Sequence, residues 1–463
     1  MTIDKTDKKI KNIFDGINIE IEDPIAGSRI FEPIIFQVPK ATTNALWWAE
    51  TSSRERVLCQ KLESLSTQDT TTFVTTLSFS GRDSLKLINP CESDDVDGII
   101  ERKGKEKDCF VRLDTGAFDL EMCKGTAQGT GASKWGLRHF CSTQDNFELL
   151  PSGNNAIGGF YGPFFTPENG LINPPEHTIV EIEIIEKGPI MHYYRMKGVI
   201  PDGLLDELKQ KSFTIDWKFT YGTPFFQRCY QVDTFRTVIN GRSVDNKITV
   251  GDEFESGQGK LVFDRFSAYQ GTIYRSGDPY AGELVEGVKK VLENSTENNP
   301  KFAEFQEQLK DIEAAHWDLY WRMFCAWEGA LSNDEIVKYL SDVRAKSHIL
   351  ADLTSRSWKI SSEPVDVSAV PHETIFPGAA DKTVEFDEAT GRAMIWWTSK
   401  PSGAFQIVQR RASGWVNWGS NGENECPELP VGVDIKTAYG LFAKNWHQVA
   451  DQLEQAPQIS VKV

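Results

Sequence analysis

Up to about residue 275 the chain is written in short runs of β-branched and aromatic residues, each soon closed by Gly, Pro, Asn or Asp. That punctuation constrains the fold more than any other feature. The runs at 70–79 (TTTFVTTLSF), 109–113, 118–122, 180–185, 212–221, 228–239 and 259–263 all have strand length. Branched and ring side chains suit a pleated, half-buried surface. Turn residues at such intervals favour antiparallel pairing over the long crossovers that parallel strands need. Asn240-Gly241, within NGRS, supplies the residues of a two-residue hairpin turn. The expected fold class is mainly β with a helical insert, a large antiparallel β-sandwich occupying residues 1–280.

The pattern then changes period. Phe302, Phe305, Leu309, Ile312, His316, Leu319, Met323 and Trp327 step by three and four along one face, the spacing of an amphipathic helix. Ser332 with Glu335 forms a capping box opening a second helix over 334–348. His316 sits on the apolar stripe, where a hydrogen-bonded core histidine is expected rather than a ligand. These residues define a helical segment over 281–360, packed on the sandwich. Strand signals return over 382–386, 392–398 and 405–410. The stretch 435–453, apolar at Ala438, Leu441, Phe442, Trp446 and Val449, reads as a terminal helix completing a 361–463 portion. No repeat of 20 to 50 residues occurs, which disfavours a propeller or solenoid.

With 463 residues and a formal charge of −17, the chain can bury a large core and lacks the basic patch that nucleic acid or anionic lipid requires. The basic residues Arg102, Lys103, Lys105 and Lys107 are interrupted by acids and read as a solvated hairpin tip. No apolar stretch reaches membrane-spanning length, and the first residues are charged where a secretory signal is apolar. A cytoplasmic protein is expected. The eight cysteines are scattered without a CxxC pair, as reduced thiols would be. Neither GxGxxG nor a P-loop occurs, and the glycine-rich segment 125–134 lacks the GK[ST] ending.

Candidate site chemistry concentrates in 135–255. The segment 158–177 (GGFYGPFFTPENGLINPPEH) holds four prolines, four glycines and four aromatic rings, too irregular for a helix or strand. Tyr161, Phe160, Phe164 and Phe165 suit the C–H faces of a sugar ring, with Glu168, Asn169 and Asn173 for its hydroxyls; equally, the rings pin the loop to the sandwich. His177, entering a strand after Glu176, is the candidate general base, with His139 and His192 as further candidates. Arg138 and His139 are expected to alternate across a strand. Arg228 and Tyr230, two residues apart, share a strand face and offer a cation and a proton donor, or else a packed salt bridge.

The run EIEIIEKGPI, followed by HYYRMKGVI, is a strand, a Gly-Pro break and a second strand. On Glu186, Gly188, Pro189, Ile190 and Arg195 it resembles a hairpin of the galactose-mutarotase-like β-supersandwich domains of carbohydrate-active enzymes. The likeness extends loosely to FFQRCYQVDTF, about 30 to 60 residues in all. It implies a supersandwich fold and a sugar or glycoside ligand. Arg195 and His192 are candidate ligand-binding residues.

Proton transfer of the lyase, dehydratase or isomerase kind is the expected chemistry, since His, Tyr and Arg dominate the candidates. His177 would serve as base, Tyr161 or Tyr230 as acid or relay, and Arg195 or Arg228 as clamp. A glycoside hydrolase would instead need two acids, for which Asp252-Glu253, Asp83 and Asp114 are the candidates. A non-catalytic carbohydrate-binding or assembly protein would use aromatic platforms such as Trp47-Trp48, Trp396-Trp397 or Trp415 with Trp418. No cofactor is expected. A divalent metal held by two histidines and Glu168 or Glu176 is the alternative, although no HxH or HExxH spacing occurs. No nucleic-acid or membrane partner is expected, and a homo-oligomer stays open.

Overall fold

In a computed structural model, the structure describes residues 12–25, 27–92, 96–126, 133–145, 147–150, 156–161, 178–200, 210–239, 242–255, 265–269, 373–386, 389–410, 415–419, 429–442 and 446–463. Every strand pair among them is antiparallel. The short, turn-punctuated runs favour this arrangement, and the fold is mainly β and sandwich-like. The expected helices over 281–360, His316, the strand at 259–263 and the boundary at 280 lie outside the described residues.

One sheet has seven strands, formed by β1 (Asn18–Glu22), β2 (Ser28–Val38), β3 (Leu46–Thr51), β4 (Arg56–Lys61), β5 (Thr71–Ser80), β6 (Arg82–Pro90) and the last strand of the chain, Gln458–Lys462. β1 lies between that last strand and β6, so both ends of the described chain meet in one sheet. Alternation selects its core: Ile34, Phe36 and Val38 of β2 point in while Ile35 points out. Phe14 packs edge-on against Trp47 with ring centroids 4.6 Å apart.

The second sheet comprises β7 (Ile100–Arg102), β8 (Cys109–Asp114), β9 (Phe118–Cys123), β10 (Gly136–Ser142), β11 (Glu148–Leu150), β12 (Ile157–Tyr161), β13 (Glu181–Lys187), β14 (Met191–Val199), β15 (Ser212–Thr220) and β16 (Phe225–Val232). The strands that follow in chain order are β17 (Arg236–Ile239), β18 (Arg242–Asp245), β19 (Lys247–Glu255), β20 (Arg265–Tyr269), β21 (Glu373–Phe386), β22 (Arg392–Arg410), β23 (Trp415–Gly419), β24 (Leu429–Pro430) and β25 (Asp434–Leu441). Of these, β17 and β18 pair only with each other, flanking the Asn240-Gly241 turn signal. The others close on themselves through pairings such as β12 with β19 and β16 with β25. Ile99 N donates to Pro189 O at 2.8 Å where the two ends of the network meet. Trp135, Phe140, Tyr194, Trp217, Phe226 and Tyr439 fill its core.

The apolar spacing over 435–453 predicts one helix, and the fold departs from it. Residues 435–441 form strand β25, and the helix begins only at Trp446 (Trp446–Glu454). β25 is hydrogen-bonded to β16 on one side and β22 on the other. Ile435 and Tyr439 join the main core, whereas Ala438 packs with Phe225, Ile395 and Val449 on the opposite face. A strand buried on both faces carries a continuous apolar run, which periodicity cannot tell from a helix.

The motif at 186–190 is a seam between the sheets. Glu186 accepts the backbone N–H groups of Glu63 and Ser64 at 3.3 and 2.6 Å. Gln60 accepts from the N–H groups of Ile190 and Met191 and donates to Met191 O, all within 3.1 Å. Gly188 lies so close to Gln60 that a Cβ there would come within 2.4 Å of its amide carbon.

Candidate functional site

His177, Phe164, Phe165, Glu168, Asn169, Asn173 and Glu176 lie outside the described residues. Tyr161 ends β12 opposite Thr249; its ring, and those of Phe160, Trp415 and Trp418, lie outside them too.

Arg228 and Tyr230 do share a face of β16, and that face is the core. Arg228 is 0% exposed and donates to both carboxylate oxygens of Asp252 at 2.6 and 2.5 Å. Burial works against its charge, and Asp252 outweighs it to hold the guanidinium firmly protonated. Tyr230 Oη donates to Gly158 O at 2.9 Å. The group braces β16 against β12 and β19, and it ties up Asp252 as one of two acids for hydrolysis. Asp83 accepts from the N–H groups of Ser52 and Ser84, and Asp114 pairs with Arg102 at 2.5 Å. Trp47 and Trp396 are core residues.

Arg195 and His192 are separated by the sheet itself. Arg195 lies on the outer face of β14, bound to Asp216 at 2.6 and 2.9 Å and to Tyr193 Oη. His192 is buried, its Nδ1 2.6 Å from Tyr194 Oη, and burial pushes its pKa down to about 4.

His139 has the surroundings of a site. On β9, Phe118, Leu120 and Met122 join the core, leaving Asp119, Glu121 and Cys123 on the outer face. β10 runs beside it with Arg138 opposite Glu121 and Cys141 opposite Asp119, so two residues, His139 and Phe140, stand where one would fit. The bulge breaks the expected alternation. Phe140 enters the core, and His139, at φ +53°, faces the same outer side as Arg138 and Cys141. That left-handed backbone is rarely occupied by a non-glycine residue and marks stored strain.

The connection 103–108 folds over this face. Its backbone N–H groups at Lys105 and Glu106 donate to Glu121 at 2.7 and 3.1 Å. Glu106 Oε1 accepts from His139 Nε2 at 2.7 Å, while its other oxygen is 3.8 Å from Arg138. Asp108 binds Arg138 and accepts from the N–H of Gly125. Burial opposes the charge of Arg138, but Cys123 and Asp108 keep it protonated. A 370 Å³ cavity opens beside this cluster, lined by Lys105, Arg112, Asp119, His139, Cys141, Phe147 and Glu148. Arg112 holds Asp119 with two hydrogen bonds of 2.8 and 2.6 Å. Burial, then Glu148 and Asp119, pushes the Cys141 thiol up to about 11. Because the carboxylate fixes the Nε2 proton, the ring's Nδ1 is left as an acceptor.

The sequence reading therefore contributed His139 and Arg138 and missed Glu106, Asp108, Arg112 and Asp119. The 102–107 run is indeed a hairpin connection, with Arg102 paired to Arg112. Glu106 within it and Asp108 just after it turn inward instead of facing solvent: their side chains are 25% and 12% exposed. The available signal was the alternation Asp119, Glu121, Cys123, which puts three ionisable residues on one strand face.

No protein-family model matches the chain, and no curated protein matches it. Among solved structures it is similar to an alpha-mannosidase from Enterococcus faecalis V583, with 6% identity and a TM-score of 0.42 over 96% of this chain and 46% of that one. It is also similar to a protein in glycosyl hydrolase family 38 from Enterococcus faecalis, with 8% identity and a TM-score of 0.43 over 96% and 47% of the two chains. A protein assigned as an aldose 1-epimerase from Klebsiella pneumoniae subsp. pneumoniae MGH 78578 aligns at 9% identity and a TM-score of 0.32, over 92% and 94%. The chain spans just under half the length of the two Enterococcus faecalis chains. Among the described residues, no helix is long and apolar enough to cross a membrane.

Proposed function

We propose that the chain is a carbohydrate-active enzyme of the isomerase, dehydratase or lyase kind, with His139 as its acid-base residue. The supporting observation is the His139–Glu106 pair, held at a strained backbone position on the wall of a polar cavity. Glu106 fixes the imidazole tautomer and steadies the imidazolium formed when the ring takes a proton, the role a carboxylate plays behind a catalytic histidine. A 370 Å³ cavity is at the small end of ligand pockets. Its Lys105, Arg112, Asp119 and Glu148 alternate hydrogen-bond donors and acceptors, as sugar hydroxyls require. The ligand is a single sugar or sugar acid, and the reaction is proton transfer at or beside its carbonyl carbon. His177 and Tyr161 remain proposed partners in that transfer.

Free aldoses and sugar acids, followed by polarimetry for anomer or epimer exchange and by ultraviolet absorption for elimination, test the reading. His139→Gln is expected to lower turnover by about 100-fold or more, the usual scale for a positioned acid-base group, with the far-ultraviolet circular dichroism unchanged. Turnover of the same substrate at the parental rate would refute the assignment. Release of reducing sugar from a glycoside, abolished in Glu148→Gln but not in His139→Gln, would replace it by hydrolysis.

A second cleft favours sugar binding without catalysis. Phe31, Tyr221, Tyr439 and Phe442 line it with Gln144 and Gln448, in 370 Å³ between the two sheets. Rings beside amides suit a pyranose. Sugar binding with no turnover, lost in Tyr221→Ala and kept in His139→Gln, would select this reading.

A further inference from the structure

We propose that Cys109, Cys123 and Glu121 bind a thiophilic divalent cation, zinc being the natural occupant, which pins the 103–108 connection over β9. Cys109 and Cys123 are direct cross-strand partners in the β8–β9 pair. Glu121 lies two residues before Cys123, on the same face. The two Sγ atoms and a carboxylate oxygen of Glu121 all lie within 4.8 Å of one another. Tetrahedral zinc, with sulfur at about 2.3 Å, spaces its donors by roughly 3.8 Å, so a small contraction completes three ligands and leaves the fourth position to water. Glycine is the residue that permits it: a Cβ on Gly104 would lie 2.4 Å from Cys109 Sγ and 3.8 Å from Glu121 Oε2.

Arg138 distinguishes a metal from a disulfide. Its guanidinium is buried beside Cys123, and its Nε and Nη1 meet no oxygen acceptor in hydrogen-bond geometry among the described residues, the Cys123 sulfur being the acceptor beside them. A thiolate would accept from them strongly, whereas a neutral thiol or a disulfide sulfur accepts weakly. A buried thiolate in turn requires a cation. Two thiolates and a carboxylate are neutralised by one divalent ion together with Arg138. The inference is independent of the role proposed for His139.

The test uses the whole reduced chain. Cobalt(II) as probe is expected to bind at one equivalent, giving sulfur-to-metal charge transfer in the near-ultraviolet and tetrahedral bands in the visible, both erased by zinc. Cys123→Ser is expected to lose about half of the charge transfer. Should that variant fail to fold, alkylation of the unmodified chain gives the same decision. Stoichiometric zinc should slow labelling of Cys109 at least tenfold while leaving the half-buried Cys229 unchanged. Glu121→Gln should weaken zinc binding about tenfold or more, on the scale of a disturbed metal site. Absence of both the cobalt bands and the protection would overturn the proposal, as would a Cys109–Cys123 disulfide forming in air with zinc present.

Discussion

Two histidines of this chain show how little the residue type decides. His139 and His192 are both buried in strands, yet one sits at φ +53° against a carboxylate and the other in an ordinary strand against a tyrosine hydroxyl. For His192 the consequence is a pH dependence. Burial holds its pKa at about 4, against about 6.5 for a free histidine. Between those values the unfolded chain binds more protons than the folded one, so stability is complete above pH 6.5 and is lost as the pH falls toward 4. The loss attributable to this side chain is at most roughly 3 kcal/mol. Urea unfolding of the parent and of His192→Gln at pH 7.5, 5.5 and 4 measures it. The gap between the two proteins should close or reverse on acidification, and a gap independent of pH would show that His192 does not titrate against folding.

At the scale of elements, the sequence showed most clearly what period 2 can show. Strands β5, β9, β14 and β15 lie where alternating or β-branched runs predicted them, because one face of each meets a core. It failed where the physics is nonlocal. β25 looked helical because both of its faces are covered, and the bulge in β10 leaves no mark in GLRHF, since its cause is the register imposed by β9. Glycines carry such nonlocal information. Gly158, at φ +101°, lies where a Cβ would come within 2.3 Å of the Trp217 ring that backs Arg228; Gly81, at φ +69°, has nothing within 4 Å. Gly81→Ala should therefore cost about 1 kcal/mol, backbone strain alone. Gly158→Ala should cost about 3 kcal/mol or more, strain plus a displaced core ring. Denaturant midpoints at constant slope would show the difference, and equal midpoints would mean that Trp217 yields freely.

At the scale of the whole molecule, the two sheets are held together by polar plugs as well as by apolar packing. Arg29 reaches from the first sheet to Asp23, Glu32 and the backbone oxygen of Gln455, and Lys436 donates to Leu453 O from the second. Both cations thus meet the C-terminal end of the helix Trp446–Glu454, where the helix dipole favours positive charge. Arg29 lies close in sequence to Asp23 and Glu32, but its contact with Gln455 O was not legible there, since it spans 426 positions, and the Lys436 contact with Leu453 O spans 17 across a strand and a helix. Gln60 offers the cleanest test, because its amide satisfies three backbone groups across the seam. Gln60→Leu leaves two N–H groups buried without partners and Met191 O with only its bond from Gly188 N, and should cost about 3 kcal/mol or more. Gln60→Glu is the sharper variant. An ionised carboxylate still accepts from Ile190 and Met191 but faces Met191 O, to which it cannot donate. Protonation restores a donor, so the introduced group has a raised pKa in the folded chain, and the folded state binds more protons than the unfolded state as the pH falls. Relative to the parent, Gln60→Glu should be destabilised at pH 7 and recover as the pH drops through about 5, whereas Gln60→Leu should show no such recovery. Parallel unfolding curves for both variants across that range would establish that the seam is held by packing and not by the amide.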